Sequence, residues 1–194
     1  MTWTKLLNPS RTVFDEIIRE FFSNAIVEGD RINCWVQQKE FFITRDSIQE
    51  FLEIRPPSQQ ISIQYNDRLD SIEPMVSLLG GTLKKKNSMN TIPFNPEMRT
   101  LAYIMIHKLY PVINLTTLAA PRTTFLYDIF THKEIDICSH IFYLFTKAIS
   151  KRTLRTVMPF PSFIMGLIAK TKLKFPSGLT VVRRDSPIGA PTMS

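Results

Sequence analysis

The sequence predicts a mainly α fold, a single-domain, helical bundle-like structure with a small β-hairpin near its N-terminal third. Three observations lead there. Apolar residues recur at spacings of three and four through most of the 194-residue chain, which is the pattern that lines one face of an α-helix. Only Arg31 to Thr44 is dense in β-formers on both sides of a polar centre. A composition of 44% hydrophobic and 21% charged residues is that of an ordinary globular chain with a real core.

The first helix is predicted from Ser10 to Val27. Val13, Phe14, Ile17, Ile18, Phe21, Phe22, Ala25 and Ile26 form its stripe, Ser10 its cap and Gly29 its stop. The hairpin follows, with Ile32, Cys34 and Val36 on one arm, Phe41, Phe42 and Ile43 on the other, and Gln37-Gln38-Lys39-Glu40 between. Thr44 then caps a short helix carrying Ile48, Phe51 and Leu52, and Arg55-Pro56-Pro57 ends it. Ile72 to Leu79 reads as a short helix closed by Gly80-Gly81, and Lys84-Lys85-Lys86-Asn87-Ser88 as an exposed linker.

A denser helical half follows. Asn95-Pro96-Glu97 supplies a cap, a proline in the first turn and an acid against the helix dipole. Met98, Leu101, Ala102, Met105, Ile106 and Leu109 are the stripe of that helix, and Pro111 lies beyond its end. A second helix begins near Pro121 with Phe125, Leu126, Ile129 and Phe130. The third, Asp136 to Ser150, is apolar around much of its circumference and is the expected core helix, with Phe142 among its buried residues. Pro159 and Pro161 precede a last helix through Phe163, Ile164, Leu167 and Ile168, and Leu179 to Val182 reads as a short strand. The expected organisation is an N-terminal lead over 1–9, one globular domain over 10–184 and a flexible tail over 185–194.

Charge is polarised along the chain. The net charge is +7, yet Lys147, Lys151, Arg152, Arg155, Lys170, Lys172, Lys174, Arg183 and Arg184 fall in one stretch with no Asp or Glu. Such a run is either a solvated surface or a patch for a polyanion, and nucleic acid is the partner it would suit. Phe160, Phe163 and Phe175 lie among these cations, but phenylalanine at helical spacing is usually core. Cys34 and Cys138 are far apart in a chain that needs no staple, so a reducing compartment is expected, nuclear or cytoplasmic. Neither a signal sequence nor the ~20 consecutive apolar residues of a membrane span is read, and no membrane partner is expected.

Several segments resemble one known family. Arg99-Thr-Leu-Ala-Tyr-Ile-Met-Ile-His-Lys-Leu-Tyr110 with Pro111, then Arg122-Thr-Thr-Phe-Leu-Tyr127, then Glu134-Ile-Asp-Ile-Cys138, look like the plant transposon protein domain. Upstream, Phe21-Phe22-Ser23-Asn24-Ala25 and Phe42-Ile43-Thr44 look like its opening, so the likeness runs from about Phe14 to Lys172. In this chain His132-Lys133-Glu134 fills a turn where the family commonly has a glycine. The resemblance implies a mobile-element-derived plant domain and carries no catalytic residues with it.

The residues themselves assemble no readable reaction centre, so no enzyme activity, cofactor, metal site or small-molecule substrate is expected. Asp46, Asp70, Asp128, Glu134 and Asp136 sit in helix and turn segments rather than on the strand-rich scaffold of a two-metal nuclease. Gly80-Gly81-Thr82-Leu83-Lys84 lacks the spacing of a phosphate-cradling loop. Two cysteines with His107, His132 and His140 are too few and too scattered for a zinc site. The expected function is a non-catalytic module of a transposable-element protein, binding nucleic acid through its basic C-terminal third. The alternative is an interaction or assembly module meeting other protein chains of the same element.

Overall fold

The structure, a computed structural model, describes residues 12–58, 72–85, 87–110, 116–151 and 158–182. The predicted lead over 1–9, the Ser10 cap and the tail over 185–194 lie outside these residues. The described chain divides into two compact units, one formed by residues 1–55 and 138–194 and the other by 56–137.

In the first unit, β1 (Val13–Phe14) leads into α1 (Asp15–Asn24). The helix begins after the extended Phe14, with Asp15 and Glu16 in its first turn, and ends where Ala25 turns extended. It buries Ile17, Ile18, Phe21 and Phe22. Ile26, assigned above to this helix, instead opens β2 (Ile26–Glu28), and Gly29 at φ +61° makes the turn into β3 (Arg31–Val36). β4 (Lys39–Thr44) completes a three-stranded antiparallel sheet in the order β2-β3-β4. Gln37 and Gln38 both take left-handed conformations, φ 48° and 61°, between β3 and β4. That is the two-residue turn whose twist matches the strands, made here without the usual Asn-Gly.

Thr44 caps α2 (Arg45–Leu52) through a reciprocal pair with Ser47: Ser47 N–H donates to Thr44 Oγ1 at 3.1 Å and Thr44 N–H to Ser47 Oγ at 2.9 Å. The chain returns to this unit with Cys138 along α6 (Ile137–Lys151), then α7 (Pro161–Lys170), and closes with β8 (Val181–Val182), antiparallel to β1. Phe145 of α6 is fully buried at the hub of an aromatic cluster, with ring centroids 6.1 Å from Phe21, 6.0 Å from Phe160 and 6.1 Å from Phe163. Phe142 is only half-buried, because the buried side of α6 runs through Ile141, Leu144, Phe145 and Ile149.

In the second unit, α3 (Glu73–Leu78) is followed by β5 (Thr82–Lys85) and β6 (Ser88–Asn90), and β7 (Thr117–Ala119) adds to β6. α4 (Pro96–Ile104) starts where Asn95 Oδ1 accepts from Met98 N–H at 2.8 Å, and it runs into a π-helical turn, Met105–Leu109. α5 (Ala120–Phe130) starts one residue before Pro121. Met89 of β6 and Leu118 of β7 pair in register and are fully buried, as are Met105 and Phe125.

These strands overturn the mainly α bundle expected from the sequence. Among the described residues 51% are helical and 19% strand, with two three-stranded antiparallel sheets, so the fold is an α/β mix. The reason is local. Lys84 and Lys85, read above as linker, are strand residues of a fully exposed edge, where no apolar alternation betrays the ladder. β6 and β7 are three residues each, too short for a period to register.

Candidate nucleic-acid interface

The basic residues singled out in the sequence belong to the first unit. Lys147 lies on α6, its Nζ donating to Tyr143 Oη at 3.0 Å and standing 5.2 Å from that ring centroid. Lys151 is the last residue of α6. Arg152, Arg155, Arg183 and Arg184 lie outside the described residues. Lys170 ends α7, pairs with Glu50 at 3.0 Å and sits over the Phe51 ring at 5.5 Å. Lys172, at φ 57°, and Lys174 follow the helix, both exposed and, among the described residues, with no carboxylate partner.

Sequence spacing did not reveal that Lys39 comes to the same place. Its Nζ donates to the Thr171 carbonyl, which brings a β4 cation beside the end of α7, 132 residues further along the chain. Thr171 joins Arg31, Asn33, Lys39, Glu40, Phe41 and Phe42 in lining an open cleft of about 540 Å³ at the β4 edge. A helix C-terminus gathers cations because its last carbonyls carry partial negative charge, and this one has Lys170 inside it and Lys39 on it. The aromatic residues that lie among the cations in the sequence are packed inward: Phe160 and Phe163 are buried, and Phe175 packs on Phe14 with ring centroids 5.4 Å apart.

Charge follows the division of the chain. Residues 1–55 and 138–194 hold sixteen Lys and Arg against ten Asp and Glu, a net of +6. Residues 56–137 hold eight against seven, a net of +1.

Asp46 is exposed with Arg45 at 3.7 Å, and Asp128 pairs with Lys133 at 3.0 Å. Glu134 accepts from Ser58 N–H at 2.9 Å and from the Ser58 hydroxyl, and these bonds hold its carboxyl below the usual range. Asp136 is buried, and Asp70 lies outside the described residues. Among the described residues no three His, Cys, Asp or Glu side chains come together as a metal ion requires. Cys34 is buried behind β3, and that burial pushes its thiol up to about 12, far from a reactive thiolate. His140 is fully buried on α6, His107 packs on Tyr103 with ring centroids 4.1 Å apart, and His132 is exposed in the turn after α5. No helix among the described residues is long and apolar enough to cross a membrane.

Compared with known proteins, residues 1–173 match the model of the plant retrotransposon-related domain. No curated protein and no solved structure matches the chain. The matched span ends beside Lys172, where the likeness to plant mobile-element proteins read from the sequence also ends, and it takes in residues of both units. The chain therefore belongs to the plant retrotransposon-related domain family, a family of transposon-derived plant domains.

Proposed function

We propose that this domain is a non-catalytic nucleic-acid-binding module of a plant retroelement protein, acting in the nucleus or the cytoplasm through the basic surface of its first unit. The observation that carries the reading is the partition of charge, +6 on the first unit against +1 on the second. Its cations include the exposed Lys172 and Lys174, which follow the α7 terminus that Lys39 also reaches. A phosphate backbone binds such a surface by releasing condensed counterions, which needs neither a reaction centre nor base recognition. Titration of the whole chain into labelled nucleic acid of mixed sequence, followed by fluorescence anisotropy across a salt series, tests this. Binding that weakens steeply with salt and tolerates sequence changes is the expected result, and no binding at low salt refutes the proposal.

A second reading, an assembly module meeting other chains of the same element, is favoured by one feature of the second unit. Ile92 and Tyr103 are 65% and 51% exposed, and they line an apolar cleft of about 360 Å³ with Phe94, Ala102 and Ile106. Sedimentation of the chain over a concentration series separates the two readings. A mass that rises with concentration and falls back on Ile92→Asp favours assembly.

A further inference from the structure

We propose that the outward face of the β2-β3-β4 sheet is a stacking platform for single-stranded nucleic acid, with Trp35 and Phe42 as the rings that receive the bases. This rests on the nucleic-acid reading above and deepens it by naming the class of strand and the surface that holds it.

A strand alternates its side chains between two faces, and the register divides this sheet accordingly. Ile32, Cys34, Val36 and Ile43 are buried. The alternate positions carry Arg31, Asn33 and Trp35 on β3 and Phe42 on β4, and Trp35 and Phe42 remain 48% and 65% exposed. Large aromatics are residues that folding normally covers, and two on one open face form a surface ready for a planar partner. Asn33 pairs with Phe42 across the sheet and Trp35 with Glu40. Trp35 and Phe42 are therefore diagonal neighbours, roughly 7–8 Å apart. Two splayed bases of an unpaired strand can each take one ring at that separation, whereas a duplex keeps its base faces inside.

Charge selects the occupant and gives its path a side. Phe42 shares the cleft at the β4 edge with Lys39 and Thr171, and Lys172 follows Thr171, with Lys174 two residues further on. Phosphates running along that edge would meet cations while their bases lie inward over Phe42 and Trp35. On the opposite margin, Glu28 of β2 already accepts from Arg31 at 3.1 Å and from Asn33 at 2.7 Å, so its carboxylate is engaged within the sheet. Glu40, exposed at the turn end of β4, is the acid that a strand would pass closest to.

The chain has two tryptophans, so Trp3→Phe leaves Trp35 as its sole indole reporter. In that background, a short oligothymidylate and a DNA duplex of equal length are titrated separately, with far-UV circular dichroism and urea midpoints checking that each variant folds. Oligothymidylate is expected to quench Trp35 fluorescence and to bind more tightly than the duplex. Phe42→Ala is expected to weaken oligothymidylate binding about tenfold without changing its salt dependence, and Trp35→Phe, read by anisotropy, to retain binding that Trp35→Ala loses. Oligothymidylate bound without quenching, and indifferent to Phe42→Ala, overturns the platform and leaves the basic-surface reading standing. Failure of both probes to bind at low salt overturns both. Self-association of the chain that Phe42→Ala abolishes, with no effect on nucleic acid, overturns the platform and makes the face a protein contact.

Discussion

The ring of Phe51 on α2 lies against Gly166 of α7, so close that a methyl group added at Gly166 would meet the ring carbon Cε2 at 3.0 Å and Cε1 at 3.3 Å. Phe51 is held there from another side by Phe163, edge to face at 4.9 Å. Glycine inside α7 is thus a packing residue rather than a hinge. Gly166→Ala gains about 1 kcal/mol of helix propensity but overpacks the contact, at a cost of roughly 1–3 kcal/mol. The net expectation is a lowered urea midpoint, partly restored by adding Phe51→Leu, because residues in contact do not contribute additively. A midpoint raised by Gly166→Ala would place the Phe51 ring elsewhere.

Phe145→Ala is expected to destabilise the chain by about 3–5 kcal/mol, since it empties the centre of the cluster formed by Phe21, Phe160 and Phe163. Phe142→Ala, on the half-buried side of the same helix, is expected to cost clearly less. Equal losses measured by urea unfolding would show that the register of α6 is wrong.

His107 gives the second unit a pH dependence. Burial disfavours its charged form and Lys108 repels it, so its folded-state pKa lies below the ordinary 6.5. As pH falls the unfolded chain takes up this proton first. The stability linked to His107 is therefore present above the unfolded value and lost as pH drops through it towards the depressed folded value. Urea midpoints between about pH 7.5 and 5 should fall more steeply for the native chain than for His107→Gln. Parallel slopes would contradict the assignment.

Cys34 is 1% exposed with its thiol pushed up to about 12, so a disulfide-forming thiol reagent at mildly alkaline pH should leave it unmodified until the chain unfolds. Mass spectrometry of the labelled peptide reports this. Rapid labelling in the folded state would mean that β3 opens locally.

The parts of the fold that were legible in the sequence are those whose signals are local. Asn95-Pro96-Glu97 and Thr44 through Ser47 mark helix starts by chemistry that acts within one turn, and the structure has both caps. The hairpin of β3 and β4 was legible because Ile32, Cys34 and Val36 alternate with polar or exposed residues over a full strand. Ile26 misled, because an apolar residue following a helical stripe extends that stripe as readily as it begins a strand. The edge strand of Lys84 and Lys85 was hidden because its hydrogen bonds, to β6, are specified by neither side chain. For the candidate site, the acid-free run from Lys147 to Arg184 could be read directly from composition. The approach of Lys39 to Thr171, and the exposure of Trp35 beside Phe42, depend on contacts and register that no local pattern encodes.

If the first unit meets a polyanion through the lysines at the end of α7, as proposed above, then its binding must depend on salt through those lysines. Affinity for duplex DNA of mixed sequence is measured across a salt series for the native chain and for the double substitution Lys172→Gln, Lys174→Gln. Both positions are exposed and, among the described residues, without carboxylate partners, so the fold should be unaffected. Each phosphate contact contributes about −0.9 to the slope of log affinity against log salt on duplex DNA. The expected result is a steep negative slope for the native chain, flattened by up to ~2 units in the double variant. A slope that the double substitution leaves unchanged would show that Lys172 and Lys174 make no phosphate contacts.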